Sequence, residues 1–171
     1  NINSFATKKS EKTSYAIIKL SEIMRYMLYE AKEEKVLLEK EIKHIENYLA
    51  LQKLRYKSDD FVSFYCNCNN TNVLVPPMLF IPFIENAFKH GKKGAGNKII
   101  ITLKATKDII HFECINKIRE LNETEKSGSG GFGIENIKRR LELLFPEKHQ
   151  LISSIKNDEY SVNLTLSINE N

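Results

Sequence analysis

The segment Pro82–Gly91, PFIENAFKHG, concentrates side chains that can hold a metal–phosphate complex. If this segment is helical, Asn86 lies about one turn from Lys89 and His90 on the same side. An amide oxygen can ligate Mg²⁺ while the two basic groups contact phosphate oxygens. Glu85 adds a carboxylate whose role is either catalytic or structural. A helix with an ordinary polar face is the alternative to phosphate chemistry.

A glycine-rich segment forms the second candidate. Gly128, Gly130, Gly131 and Gly133 lead into an apolar pattern that predicts a helix over Ile134–Phe145. Glycines at a helix N-terminus let the backbone approach an anion and direct free N–H groups at it. No Gly-Lys-Ser/Thr comes after the glycines and no strand immediately precedes them, so the Walker and dinucleotide patterns are absent. A flexible linker is the alternative.

The first third of the chain predicts two helices. No Pro or Gly occurs between Ser4 and Tyr56, and Lys32–Lys35 is the natural place for a turn. Two antiparallel helices with narrow apolar stripes cannot close a core alone, so pairing with a second copy is expected. The stripes consist of Ile17, Leu20, Met24, Met27 and Ala31, then Leu38, Ile42, Ile45 and Leu49.

After residue 60 the pattern predicts an α+β fold. The expected order is β-α-β-β-loop-α-β-β, a mixed sheet with helices on one face. A polar segment, Lys117–Gly131, is expected to be a mobile loop. The other expected elements are a strand over Phe61–Cys66, a helix mainly from Pro82 to His90, a hairpin of Lys98–Leu103 and Ile109–Ile115, the Ile134–Phe145 helix, and a hairpin of Leu151–Ile155 and Ser161–Ile168.

Composition narrows the class of protein. The 171 residues are 42% hydrophobic and 28% charged, with a net charge of +4, which fits a folded chain better than a disordered one. Basic residues are interspersed with acidic ones, so no nucleic-acid partner is expected. No apolar run of about 18 residues is present. Cys66-x-Cys68 lacks zinc spacing, and small semi-buried residues in a reducing cytoplasm are favoured over a metal site.

The motifs and their order resemble a known family. PFIENAFKHG is similar to the N box of the histidine kinase–gyrase–Hsp90 ATPases, and GSGGFGIENIKRRL is similar to their glycine box. The N-terminal sequence IIKLSEIMRYMLYEAKEEKVLLEKEIKHIENYLALQKLRY resembles LytS-type sensor histidine kinases. The resemblance implies dimerisation helices over 1–57, a two-helix hairpin, followed by an ATP-binding α/β sandwich of the histidine kinase/Hsp90 type over 58–171.

The resemblance also implies roles for individual residues. Asn86 would coordinate Mg²⁺, and Lys89 and His90 would contact phosphate or ribose of ATP. Gly131 and Gly133 match the phosphate-side loop, and Gly128 and Gly130 would give the lid its freedom. The implied activity is transfer of the ATP γ-phosphate to a histidine and then to an aspartate of a response regulator.

Two positions depart from the family pattern. Many relatives carry Asp-x-Gly-x-Gly where this chain has Glu113–Ile118 without glycine, and Asn116 would contact adenine as a neutral substitute. Loss of the charge-assisted hydrogen bond predicts weak ATP affinity. Gyrase-like relatives place a Glu where this chain has Pro82, which leaves Glu85 as the carboxylate of the box.

The phosphoacceptor motif Pro-His-Phe-x-Phe-Asn does not occur in the chain. NINSFA at the start matches the residues that come directly after that motif in the family, so the histidine is expected just upstream and the fragment is expected not to phosphorylate itself. The predicted setting is the cytoplasmic portion of a bacterial membrane sensor that forms a homodimer. A degenerate, non-catalytic dimeric scaffold and an anti-sigma-type serine kinase are the alternatives.

Overall fold

The computed structural model describes residues 11–56, 60–92, 97–118 and 132–168. The chain divides into two compact units, each with its own buried residues. The helical unit contains the described residues up to Asp60 together with Asn72–Leu79. The sheet unit contains Phe61–Thr71 and the described residues from Phe80 onward. The division into functional domains at residues 57 and 58 stays a prediction.

The helical unit is built on two helices of equal length. Helix α1 (Glu11–Tyr29) leads through a 3₁₀ turn (Glu30–Lys32) and strand β1 (Val36–Leu37) to helix α2 (Leu38–Tyr56). The turn therefore lies in the charged stretch where the sequence predicts it. Strand β1 pairs antiparallel with β3 (Leu74–Val75), a contact that the sequence pattern does not predict.

The sheet unit contains a five-stranded mixed sheet. Its strands are β2 (Val62–Cys68), β4 (Ile99–Ala105), β5 (Ile109–Lys117), β6 (His149–Lys156) and β7 (Glu159–Ser167). Their order is β2-β4-β5-β7-β6, with β2 and β4 parallel and the other neighbours antiparallel. Helices α3 (Ile81–His90) and α4 (Phe132–Leu144) complete the predicted order of elements.

One face of this sheet carries the core of the unit. Alternate positions of β4, β5 and β7 are buried, as expected where helices cover a single face. Helix α3 contacts β4 and β5, and the Phe80 and Phe83 rings pack 5.0 and 5.7 Å from the ring of Phe112. The apolar side of helix α3 therefore packs against the sheet.

Several boundaries differ from the sequence-based expectation. Helix α3 begins at Ile81 rather than Pro82, and α4 begins at Phe132 rather than Ile134. Lys117 ends strand β5 and is not the first loop residue. Of the remainder of the predicted loop, Ile118 is described and residues 119–131 lie outside the described residues. In the described part of the chain, no helix is both long and apolar enough to cross a membrane.

Candidate functional site

Helix α3 separates its apolar and polar residues as the sequence predicts. Ile81, Phe83, Ile84, Ala87 and Phe88 are buried. Glu85 and Lys89 are exposed, whereas Asn86 and His90 are half-buried. Partial burial nevertheless raises the pKa of the Glu85 carboxyl above its usual range. The four candidate ligand-binding side chains therefore lie on the part of the helix that the core does not use.

Backbone hydrogen bonds join the C-terminal end of helix α3 to the end of strand β5. The Gly91 N–H donates to the Ala87 carbonyl oxygen at 2.8 Å, and the Lys92 N–H donates to the Lys117 carbonyl oxygen at 2.7 Å. Gly91 also forms an isolated antiparallel bridge with Ile118. A Cβ at position 91 would lie 2.4 Å from the Ala87 oxygen, so this close approach requires glycine.

Asn116 lies at this junction. Its side chain is 2% exposed, and Nδ2 donates to the Lys117 carbonyl oxygen at 3.2 Å. Nδ2 also lies 3.6 Å from the position that a Cβ on Gly91 would occupy. Asn116 Oδ1 is buried and has no hydrogen-bond partner among the described residues. The structure therefore brings Asn116 next to the end of the helix that carries Asn86, Lys89 and His90.

The unpaired Oδ1 of Asn116 is suited to a ligand that supplies a hydrogen-bond donor. Leaving a buried acceptor unpaired costs about 1–3 kcal/mol, a cost that an incoming donor removes. The exocyclic amino group of adenine is such a donor. The Nδ2 bond to Lys117 fixes the amide orientation that leaves the oxygen available. This chemistry fits ATP, and Asn86 offers an amide oxygen of the kind that Mg²⁺ accepts.

The glycine box is only partly described. Gly133 lies in the first turn of helix α4, where backbone N–H groups have no intrahelical partner. Gly128, Gly130 and Gly131 lie outside the described residues. The described residues contain no group of three or more His, Cys, Asp and Glu side chains that could hold a metal ion. The roles of all the predicted site residues stay predictions.

Glu41 is a structural residue that the sequence interpretation did not identify. Its carboxylate is fully buried and accepts hydrogen bonds from the Tyr26 hydroxyl, the Met78 N–H at 2.8 Å and the Leu79 N–H at 2.9 Å. Met78 has a φ of 58°, in the left-handed region that non-glycine residues rarely adopt. A charged residue one turn from Leu38, beside the apolar stripe of α2, is the sequence signal for this contact.

Known proteins are similar to this chain in sequence and in fold. The family model for histidine kinases matches residues 1–61. The sensor protein LytS of Staphylococcus saprophyticus is 32% identical over 149 residues, which cover 80% of this chain and 25% of that protein. The chain is similar in sequence to LytS-type sensor histidine kinases. The sensor histidine kinase/phosphatase LytS of Staphylococcus aureus is 30% identical over 159 residues, covering 84% of this chain and 27% of that protein. The chain thus spans about a quarter of the length of these LytS proteins.

Solved structures establish the fold. The catalytic domain of histidine kinase ThkA has a TM-score of 0.54 at 14% identity and covers 78% of this chain and 95% of that chain. Histidine kinase AdeS of Acinetobacter baumannii has a TM-score of 0.56 at 13% identity, covering 94% and 80%. The predicted α+β fold with a mixed sheet and helices is confirmed, and the N-terminal helical hairpin is confirmed in part. The LytS similarity supports the histidine-kinase interpretation over the scaffold and serine-kinase alternatives.

Proposed function

We propose that this chain is the ATP-binding kinase portion of a sensor histidine kinase. The observation that carries the proposal is the junction between helix α3 and strand β5, where the end of the Asn86-bearing helix lies beside Asn116, whose Oδ1 is buried and unpaired. The γ-phosphate passes to a histidine outside this chain, because the sequence lacks the phosphoacceptor motif, and then to a response-regulator aspartate. Similarity to LytS proteins supports the same activity.

Each candidate residue has a separate task. Asn86 holds Mg²⁺ through its amide oxygen, and Asn116 accepts a hydrogen bond from the adenine amino group. Lys89 and His90, in the last turn of α3, contact phosphate or ribose. Gly131 and Gly133 belong to the phosphate-side loop, and Gly128 and Gly130 give the lid its freedom. When bound, Mg²⁺ neutralises charge that develops on the transferring phosphoryl group.

Glu85 is proposed to orient the attacking imidazole or to accept a proton from it. Partial desolvation raises the pKa of Glu85, which gives its carboxylate a stronger affinity for protons than a glutamate of ordinary pKa has. Phosphoryl transfer relies mainly on positioning and on charge stabilisation, so the contribution of Glu85 is expected to be smaller than that of Asn86.

The proposed partners are a second copy of the chain and a response regulator. Part of the apolar stripe predicted on α1 is about half exposed, as a helix that packs against another copy requires. Histidine kinase ThkA has been solved in complex with the response regulator TrrA, with a TM-score of 0.51 at 13% identity and coverage of 98% of this chain and 57% of that chain. Because ATP and response regulators are cytoplasmic, we place this chain in the cytoplasmic portion of a bacterial sensor.

Calorimetric titration with ATP tests the proposed Mg²⁺ site. Wild type should bind ATP more tightly with Mg²⁺ than without it, because the ion links the phosphates to Asn86. Asn86→Ala should lose roughly tenfold or more in affinity, and only when Mg²⁺ is present. Asn67→Ala, on the end of strand β2, is the matched control and should bind like wild type. Equal affinities for wild type and Asn86→Ala would refute the role of Asn86.

Incubation with γ-labelled ATP tests the location of the phosphoacceptor. The chain alone should acquire no acid-labile label, whereas a longer protein that contains the Pro-His-Phe-x-Phe-Asn motif should become labelled. Stable acid-labile label on a histidine of the 171-residue chain would contradict the proposal.

A further inference from the structure

Two cysteines lie together at the end of strand β2. Cys66 and Cys68 are two residues apart on a strand, so their side chains project from the same face. Their Sγ atoms are 3.6 Å apart. Cys66 is exposed and Cys68 is half-buried. Strand β2 is at one edge of the five-stranded sheet, so solutes can reach the pair from the side of that edge.

The distance between the sulfurs suits an ion better than a disulfide bond. Two thiolates on a tetrahedral ion with metal–sulfur distances of about 2.3 Å lie roughly 3.8 Å apart. A direct bond instead needs the sulfurs to approach to about 2.05 Å, with Cα atoms no more than about 6.8 Å apart. Residues i and i+2 of an extended strand are separated by about 6.6 Å, near that limit. Bridging by an ion therefore requires less movement of the strand.

We propose that Cys66 and Cys68 form a two-thiolate binding site for a soft, thiophilic metal or metalloid ion. Thiolates select such ions over Mg²⁺ and Ca²⁺, so the site does not compete for the metal that accompanies ATP. Exposure of Cys66 leaves the remaining coordination positions of the ion to solvent. The pair has no zinc-type sequence spacing, and it is the β-strand geometry that brings the two sulfurs together.

Binding requires proton release and no change of oxidation state. A divalent ion forms two metal–sulfur bonds, and both thiol protons leave to solvent. Burial, with the neighbouring Cys66 thiol, raises the pKa of the Cys68 thiol to about 12, so the ion has to displace these protons. Phenylarsine oxide forms two arsenic–sulfur bonds as its arsenic–oxygen bond breaks, and the oxygen leaves as water with both thiol protons.

Phenylarsine oxide and Cd²⁺ are suitable probes for the reduced, full chain. Mass spectrometry should show one phenylarsenic group per chain, retained through gel filtration, and peptide mapping should show Cys66 and Cys68 protected from a maleimide. Titration with Cd²⁺ should give an ultraviolet thiolate-to-metal charge-transfer band that saturates at one ion per chain, with release of two protons.

Three variants distinguish a paired site from single reactive thiols. Cys66→Ser and Cys68→Ser should each lose both retention of the arsenical and the Cd²⁺ band. Cys114→Ser removes the buried cysteine of strand β5 and should bind both probes like wild type. Circular dichroism should show that each variant is folded. Retention in either single variant, or modification of one thiol alone in wild type, would overturn the proposal.

Discussion

At the scale of single residues, the proposed contact with adenine depends on Asn116. Its Oδ1 is a buried acceptor, whereas an aspartate at this position would turn an oxygen towards the Lys117 carbonyl that now receives the Nδ2 bond. The neutral amide therefore suits this position because its Nδ2 can donate to the Lys117 carbonyl. A neutral acceptor, however, forms a weaker hydrogen bond to adenine than a carboxylate does.

Replacement of Asn116 should reduce discrimination between ATP and GTP. In the proposed site the adenine amino group donates to Oδ1, whereas the guanine carbonyl at the same ring position has no proton to donate. Asn116→Ala should weaken ATP binding by about tenfold, the equivalent of one buried hydrogen bond, and should change GTP binding much less. Competition titrations with both nucleotides measure the ratio. Asn67→Ala should retain the wild-type ratio, and an unchanged ratio in Asn116→Ala would exclude the adenine contact.

His44 is a second residue whose environment has a measurable consequence. Its side chain is 3% exposed and stacks on Tyr26, with ring centroids 4.2 Å apart. Burial lowers the pKa of His44 to about 4. The ring lines a groove of about 250 Å³ with charged neighbours on both helices and the connecting turn; these are Glu22, Arg25, Glu30, Lys40 and Lys43.

Stability of the helical unit should therefore fall in mild acid. The pKa of His44 is lower in the folded chain than the ordinary value of 6.5, so the unfolded chain binds more protons between these pH values. The contribution of neutral, buried His44 to the free energy of unfolding is fully present above pH 6.5 and is lost as the pH falls towards 4. This loss amounts to at most about 3 kcal/mol, because solvent screens part of the charge.

Urea unfolding followed by far-ultraviolet circular dichroism at about pH 7, 5.5 and 4.5 measures this loss. His44→Phe keeps an aromatic ring against Tyr26 and should lose less stability than wild type over this range. His111→Asn, which removes a histidine from strand β5, should follow the wild-type curve. If the free energy of unfolding falls equally with pH in wild type and in His44→Phe, the loss of stability does not come from His44.

At the scale of elements, the Glu41 carboxylate is hydrogen-bonded to the segment that precedes helix α3. The Met78 and Leu79 N–H groups both donate to its carboxylate, and α3 begins two residues later at Ile81. Desolvation and the carboxylate of Glu41 raise the pKa of the Tyr26 hydroxyl, which keeps the hydroxyl protonated as a donor. Neutral donors thus compensate the buried charge in a segment whose backbone is left-handed at Met78.

Glu41→Ala should destabilise the helical unit by at least about 3 kcal/mol, because three buried donors lose their acceptor. Glu41→Gln should lose less, since only one carboxylate oxygen is replaced by an amide nitrogen that cannot accept a backbone N–H. Glu39→Gln, an exposed position on the same helix, is the control and should change stability by less than about 0.5 kcal/mol. Free energies of unfolding in urea measure all three. Equal values for the variants at positions 41 and 39 would contradict the proposed role of the network.

The elements with a regular pattern could be predicted from sequence. The alternation in Ile99–Ala105 and the helical period in Ile81–His90 each result directly from burial of one face. Strands Val36–Leu37 and Leu74–Val75 could not be predicted, because two residues contain no period and their pairing is set by tertiary contacts. The same holds for the candidate site: the PFIENAFKHG motif predicts a role for Asn86 that stays a prediction, whereas the burial of Asn116 depends on the junction with Gly91.

At the scale of the whole molecule, the outer surface of helix α1 favours self-association. Ile17, Met24 and Met27 repeat at spacings of seven and three residues and are about 50% exposed. Leu28 is 53% exposed on the same helix. Exposed apolar side chains in such a row are unfavourable in water and are covered when a second helix packs on them. We therefore expect a homodimer that buries this row between two copies of α1.

Charge substitutions in this row should convert the dimer to a monomer. The double variant Met24→Glu/Met27→Glu places four carboxylates at a two-fold interface, where desolvation and mutual repulsion oppose association. Analytical ultracentrifugation over a range of concentrations should show the dimer mass for wild type and the monomer mass for this variant. Leu143→Glu alters a side chain that is 74% exposed on helix α4 and should remain dimeric. Because the substituted side chains are already exposed in a single copy, circular dichroism should show unchanged helix content. A dimer that persists in the double variant, or a wild-type monomer at all concentrations, would exclude α1 as the interface.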